Sequence, residues 1–319
     1  MTSVDVLTFG ETMVSLRSDG PLAQGRALAM HAAGAESNVA VGLARLGHSV
    51  RWAGRVGRDP HGDFIERALR AEGVDLVLAR DGGRHTGVMF LERRTADVSR
   101  AFYYRRGSAG SRISRPDLEE PLADGAKVLH LTGITPSLSP QALAAFAFAA
   151  ETAAARGMLV SLDVNYRAKL WSREKARAAL APVARHAGVV IASDDELDLL
   201  SAQPRGADGV AGTAAELLET GVREVVVKLG ARGAAAYTAD GTTHADAVAV
   251  EVVDTVGAGD AFVAGYLSAF LDGGDVAARL RRGAVLGAFA VSTAGDWEGL
   301  PRRDELALLD ALTPGCTDR

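Results

Sequence analysis

Within Val253-Asp254-Thr255-Val256-Gly257-Ala258-Gly259-Asp260-Ala261-Phe262, two glycines flank an alanine directly before a carboxylate. Glycines let a backbone approach a ligand closely and turn successive N–H groups toward one point. The spacing of Phe262, Tyr266, Ala269 and Phe270 predicts a buried helix face from about Ala258, and Val248 to Val252 predicts a strand before it. The first N–H groups of such a helix have no internal partner and lie at its positive end. Gly257, Ala258 and Gly259 therefore form a candidate anion hole. Asp260 puts a base beside it, a combination suited to moving a phosphoryl group. The plainer alternative is a turn with Asp260 as a first-turn acid favoured by the helix dipole.

Five other strings carry polar groups of use to chemistry. In Gly34-Ala35-Glu36-Ser37-Asn38, small residues permit close approach and Asn38 both donates and accepts; the alternative is a helix start. Phe102-Tyr103-Tyr104-Arg105 suits a substrate carboxylate, because guanidinium forks grip carboxylates at two points and a phenol adds a donor. Cross-strand packing on a basic hairpin is the alternative. Asp163-Val164-Asn165-Tyr166-Arg167 follows a predicted strand, where open α/β proteins bind ligands, although Asn165 also suits a turn and Arg167 a surface. Ser193-Asp194-Asp195-Glu196 offers a carboxylate for an outer-shell Mg²⁺ role, and equally a helix start capped by Ser193. Lys228-Leu229-Gly230-Ala231-Arg232-Gly233 predicts a tight turn with exposed amides.

The elements that must position these groups alternate. Strands are predicted at Val4–Phe9, Val50–Val56, Val128–Thr132, Leu159–Asp163, Val189–Ala192, Val225–Lys228 and Ala234–Tyr237. Between them fall helices over Glu36–Leu46, from Asp59-Pro60 to Gly73, from Ser139-Pro140 to Gly157, near Arg173–His186, after a Thr213–Glu216 capping box, over Asp275–Ser292 and over Asp304–Leu312. This order predicts a mostly parallel sheet covered by helices on both faces. Residues 11–32 and 86–108 read instead as extended pieces. They include a hairpin of Val88–Glu92 with Ala101–Arg105, and they predict a small separate sheet. The expected division is therefore 1–10, 33–85 and 109–319 for the α/β body and 11–32 with 86–108 for the small sheet.

The chain has 319 residues, 48% hydrophobic and 24% charged, and can bury a substantial core. A net charge of −5 argues against nucleic-acid and membrane-surface binding. The single cysteine, Cys316, excludes an intrachain disulfide and a thiolate metal cluster. No leader pattern or spanning apolar run is evident, so a cytoplasmic protein is expected. There is no Gly-x4-Gly-Lys-Ser/Thr string, no Gly-x-Gly-x-x-Gly dinucleotide turn, no His-Glu-x-x-His zinc motif and no Gly-x-Ser-x-Gly elbow.

Asp254-Thr-Val-Gly-Ala-Gly-Asp260 resembles the C-terminal signature of the ribokinase-like (PfkB) carbohydrate kinases. Gly34 to Asn38, with Gly54-Arg-Val-Gly-Arg-Asp-Pro-His-Gly62, resembles their N-terminal signature, with Ala35 where that signature has a second glycine. Tyr103-Tyr104-Arg105-Arg-Gly-Ser-Ala109 is similar to a segment of the members that act on 2-keto-3-deoxygluconate. The resemblance implies a three-layer α/β sandwich with a β-sheet lid that often mediates dimerisation, and ATP-dependent phosphorylation of a sugar-acid hydroxyl with Mg²⁺. It makes Asp260 the base and the 257–259 amides its anion hole. It brings Gly34, Ala35, Glu36, Ser37, Asn38, Met89, Tyr103, Tyr104, Arg105, Asn165, Arg167 and Asp296 to the sugar. It brings Arg167, Ser193 and Lys228 to Gly233 to the nucleotide, with Glu196 near the metal and Asp254 a candidate holder of a monovalent cation. The alternatives are a fructokinase or ribokinase, which would not need Tyr103-Tyr104-Arg105, and a non-catalytic sugar sensor.

Overall fold

The computed structural model describes residues 3–95, 98–201 and 209–311, apart from the side chains of residues 310 and 311. Cys316 and the end of the expected last helix lie outside them. The strands are β1 (Val4–Phe9), β2 (Met13–Ser18), β3 (Ala29–Ala33), β4 (Val50–Gly57), β5 (Asp75–Asp81), β6 (Val88–Arg93), β7 (Ser99–Tyr104), β8 (Ala126–Thr132), β9 (Leu159–Asp163), β10 (Val189–Ser193), β11 (Glu224–Lys228), β12 (Ala234–Thr238) and β13 (Gly241–Ala245). The helices are α1 (Ala35–Arg45), α2 (Pro60–Ala71), α3 (Pro116–Asp124), α4 (Pro140–Ala155), α5 (Arg173–Ala184), α6 (Gly209–Glu219), α7 (Ala258–Leu271), α8 (Val276–Val291) and α9 (Leu308–Ala311).

The large sheet runs β13-β12-β11-β10-β9-β8-β1-β4-β5. From β11 to β5 every pairing is parallel, and only β12 and β13 are antiparallel. Its central strands read as unbroken apolar runs because both faces are covered. In β10, Val190 and Ala192 enter the core under α4 and α5, while Val189 and Ile191 enter the core under α7 and α8. This is the expected sandwich, with the period-two alternation deciding which layer each residue joins.

The second sheet runs β3-β2-β6-β7. Strand β2 pairs antiparallel with β3 and parallel with β6, and β6 and β7 form the expected hairpin. Its register separates two faces. Met13, Ser15, Arg17, Ala33, Met89, Leu91 and Tyr103 share one, with Met13, Ala33, Met89 and Leu91 packed together. Val14, Leu16, Val88, Phe90 and Tyr104 share the other, where Val14 and Leu16 join the core beside α1 and β4.

Three local expectations differ. Val248–Val252 forms no strand: it follows the edge strand β13, has no neighbour to pair with, and leaves Val252 62% exposed. Two amides, Val253 N and Asp254 N, instead donate to the Val291 carbonyl at the end of α8. Thr213 and Glu216 do not cap a helix, since both lie inside α6, where the Thr213 hydroxyl donates back to the Gly209 carbonyl. Residues 303–311 form two short pieces, a 3₁₀ turn at Arg303–Glu305 and α9, not one continuous helix.

Gly54 in β4 lies against the fully buried Trp52 ring, and a Cβ there would stand 2.1 Å from Trp52 Cη2. Gly54→Ala is expected to lower the unfolding free energy by about 1–3 kcal/mol through overpacking, read from the urea midpoint with the slope unchanged.

Candidate functional site

Asp260 is the third residue of α7 and is buried. Its carboxylate accepts from Asn38 Nδ2 at 2.8 Å and from Asn165 Nδ2 at 3.1 Å. Asn38 comes from the first turn of α1, and Asn165 from the loop after β9. Asn165 has φ +40°, a left-handed conformation that asparagine tolerates better than most residues and that is held here at some cost. The side-chain oxygens of Asn38 and Asn165 are both buried without a partner among the described residues. An unpaired buried acceptor is costly, so these two oxygens call for a hydroxyl donor from a ligand. Burial raises the Asp260 pKa to about 7; the Asn38 hydrogen bond and the charges of Arg167 and Lys228 oppose the rise, and Asp163 adds to it.

The candidate anion hole has the backbone that its glycines predict. Gly257 caps α7 with φ +75°, and a Cβ there would lie 2.1 Å from the Asp296 carbonyl oxygen. A glycine is therefore required on two grounds. No strand feeds this turn; a loop held by Val291 does. A Cβ on Gly259 would sit 3.5 Å from Lys228 Nζ, so the ammonium stands beside the helix N-terminus. Asp163, at the end of β9 and almost wholly buried, accepts from Lys228 Nζ with both oxygens at 2.9 Å. Lys228 is thus oriented by a carboxylate that the sequence reading had left without a role. The rest of its loop makes a tight turn, with Gly230 at φ +59°, Gly233 at φ +83° and Arg232 paired to Asp194.

Glu196 behaves differently from expectation. Ser193 ends β10 and caps no helix; its own amide donates to Glu196 Oε2 at 3.1 Å, and the Tyr166 amide donates to Oε1 at 2.9 Å. Burial, then the nearby Asp163, raises the Glu196 pKa. His130, fully buried on β8, has its pKa pushed down to about 4 by burial and makes a long contact with Ser161, as a neutral core residue does.

Of the candidates at the sugar end, Gly34 and Ser37 turn inward together: Ser37 Oγ donates to the Gly34 carbonyl, and a Cβ at Gly34 would collide with the Glu11 carbonyl. Glu36 lies beneath the site. Thr132 and Thr135 each donate to its Oε1 at 2.6 Å, and burial raises its pKa. Glu36 is thus held by two hydroxyls at the start of α1, with its charge also felt by Arg105. Tyr103 and Met89 are paired on the face shared with Arg17, where Lys169 Nζ lies 5.9 Å from the Tyr103 ring centre. Tyr104 is on the opposite face, edge-on to Phe90 at 5.5 Å. Strand alternation thus separates the two tyrosines, and only Tyr103 stays with Met89.

Arg105 is buried and not free. Its Nε and Nη2 both donate to Glu11 Oε2 at 2.7 Å, and Ser108 holds the other Glu11 oxygen. Arg167 is exposed, donates to its neighbour's carbonyl, and is close enough for its charge to act on Asp260 and Glu196. Asp296, expected to accept a sugar hydroxyl, instead pairs with Arg17 Nη2 at 2.5 Å. Asp254 pairs with Arg17 Nη1 at 3.2 Å and accepts the Val256 amide with its other oxygen. Arg17 neutralises the charge that a monovalent cation would need from Asp254. Glu11, Arg17 and the Asp163–Lys228 pair are what sequence reasoning missed. Their partners lie far along the chain, and the only local signal was a charged residue within an otherwise inward-facing stretch.

The family description "pfkB family carbohydrate kinase" matches residues 3–303. The chain belongs to the pfkB carbohydrate kinase family. It is 34% identical to 2-dehydro-3-deoxygluconokinase of Bacillus subtilis over 95% of this chain and 94% of that protein. It is 29% identical to 5-dehydro-2-deoxygluconokinase of Listeria monocytogenes, over 96% of each. A putative ribokinase II from E. coli, solved with ATP and Mg²⁺, superposes with a TM-score of 0.89 at 27% identity over 97% of this chain and 99% of that one.

The residues present in this pfkB kinase fit a nucleotide polyphosphate: a left-handed glycine stands at the helix mouth with an ammonium beside it, although in the 228–233 loop the Leu229, Arg232 and Gly233 amides are already taken by carbonyls of that loop. They do not form a cage for a metal. Among the described residues no three histidines, cysteines or carboxylates converge, and both Glu196 oxygens already take amides. An ion would therefore be reached through water and phosphate oxygens.

A folded-state pKa of about 7 against 3.8 in the open chain means that the folded protein keeps a proton between those values that the unfolded chain releases. Stability from this group is full below 3.8 and is lost as pH rises through about 7. Asp260→Asn should accordingly melt above the parent at pH 8 and close to it at pH 4, with melting curves at both pH values as the check. A gain independent of pH would remove the buried-carboxylate account.

Proposed function

We propose that this carbohydrate kinase transfers the γ-phosphoryl group of ATP to the terminal hydroxyl of a keto-deoxy sugar acid, 2-keto-3-deoxygluconate foremost. The observation that carries the reading is the Asp260 carboxylate, held by two asparagine amides at the mouth of α7 with two unpaired amide oxygens beside it. In this reading Asn38 and Asn165 orient the acceptor hydroxyl through those oxygens. Asp260 takes the hydroxyl proton as the oxygen–phosphorus bond forms and the bond to ADP breaks. The 257–259 amides and Lys228 stabilise charge on the transferred oxygens. Mg²⁺ bound with the nucleotide would offset phosphate charge, with Glu196 reaching it through water. The second sheet covers the sugar and limits wasteful hydrolysis of ATP.

Arg105, with Tyr103 and Arg167, supplies the grip on the substrate carboxylate. Glu11 engages Nε and Nη2 of Arg105 and leaves its Nη1 without a partner among the described residues, so the guanidinium is already aimed before substrate binds. Both curated relatives named above act on dehydro-deoxygluconates, which share that carboxylate and differ in where the ketone lies. The 5-keto-2-deoxy isomer is accordingly the second reading. A homo-oligomer through the second sheet is supported by Leu28, Met30, Val98 and Tyr104, which are 40 to 62% exposed on or beside it. A cytoplasmic location follows from the need for ATP; no described helix is long and apolar enough to cross a membrane.

A coupled ADP-release assay over sugar acids and neutral sugars tests the reading. The expected outcome is turnover of the 2-keto-3-deoxy acid well above that of fructose and ribose, and preference for a neutral sugar would overturn it. Asp260→Asn should lose about 10²–10⁴-fold in kcat, the usual worth of a positioned base. The parent's kcat/KM should rise with pH to a plateau above about pH 7. Arg105→Ala would strand Glu11 as an uncompensated buried charge, so Arg105→Lys is the informative change. It keeps the charge but loses the fork, and should raise KM for the acid about tenfold while leaving KM for ATP nearly unchanged.

A further inference from the structure

Arg17 has no part in the reaction as derived above, yet its side chain bridges the second sheet to both walls of the Gly257 turn. Its Nη1 reaches Asp254 at 3.2 Å and its Nη2 reaches Asp296 at 2.5 Å, with all three side chains less than 20% exposed. Each carboxylate belongs to a residue that shapes the turn. Asp254 takes the Val256 amide one residue before Gly257. The Asp296 carbonyl oxygen fills the space that a Cβ on Gly257 would need. The two residues after Asp296 dock on the same sheet. Trp297 Nε1 donates to the Ala32 carbonyl at 2.7 Å, and Glu298 meets His31 Nδ1 at 2.5 Å. Residues 296–298 thus form a strut between β2 and β3 on one side and the anion hole on the other.

We propose that Arg17 is a positioning residue. By holding Asp254 and Asp296 together it sets the direction of the 257–259 amides, and it makes that setting depend on the second sheet lying over the site. The physical reason is geometric: a planar guanidinium holds two carboxylates at a fixed spacing on separate Nη atoms, whereas an ammonium is a single point charge with no such fork. Without it, two acidic groups flank a turn meant to receive phosphate oxygens, and they repel both each other and the incoming charge. Arg17 touches no reacting atom in this account. The inference rests on the chain being a kinase, and not on which sugar it takes.

The test uses the full chain and whichever acceptor of the panel it turns over, so a wrong sugar does not affect the outcome. Arg17→Ala is expected to lower kcat about 10- to 100-fold, the scale of a small misplacement of catalytic groups, with KM for the acceptor within about threefold of the parent. Arg17→Lys should recover part of the loss, because it restores one of the two contacts. Parent-like kcat in Arg17→Ala would overturn the proposal. So would an Arg17→Lys variant with parent-like kcat, which also decides the matter if the alanine variant does not fold. A rise in acceptor KM with kcat unchanged would make Arg17 a substrate contact and equally overturn it.

Discussion

A carboxylate buried at the positive end of a helix and held by two side-chain amides is the constraint on which the rest depends. The proposed role of Asp260 as a base near neutral pH needs a raised pKa and a fixed position. Burial supplies the first condition and the Asn38 and Asn165 amides supply the second. Asn38 enters on α1, which follows β3 of the second sheet, and Asn165 on the loop after β9, the middle strand of the large sheet. The α/β layering that brings α1, the β9 loop and α7 to one place is therefore what makes the site possible.

Around that group the charges are arranged in pairs and triads, each joining distant parts of the chain. Asp163 holds Lys228, Glu11 holds Arg105, and Arg17 holds Asp254 with Asp296. Buried ion pairs are poor sources of stability, because desolvation offsets much of their attraction. Their worth here is placement. Lys228, Arg105 and Arg17 are each fixed by carboxylates, so in the proposed reaction less of their freedom would be lost on binding.

The layered fold was legible because its signals are local. Apolar runs bounded by glycine, and caps such as Ser139 and Asp275, are set by a few adjacent residues, and both caps accept the expected amides. Val248–Val252 misled for the opposite reason. Its pattern suits a strand, but a strand needs a neighbour, and beyond β13 there is none. Thr213 and Glu216 carry the right residues for a capping box inside a helix that has already begun. Tyr103 and Tyr104 looked like a pair in one dimension, and the pleat sends them to opposite faces.

The sequence by itself determined the alternation of strands and helices, the glycine turn before α7, the carboxylate at its mouth and the family to which these strings belong. All of these depend on residues within a helical turn or a strand length of one another. Tertiary structure alone decided which charges meet. Glu11 is 94 residues from Arg105 and Arg17 is 279 from Asp296, and nothing in the residues between encodes either contact. Such pairs form where two sheets and a loop come together, because a charge carried out of water must be matched there by whatever charge the fold brings alongside it.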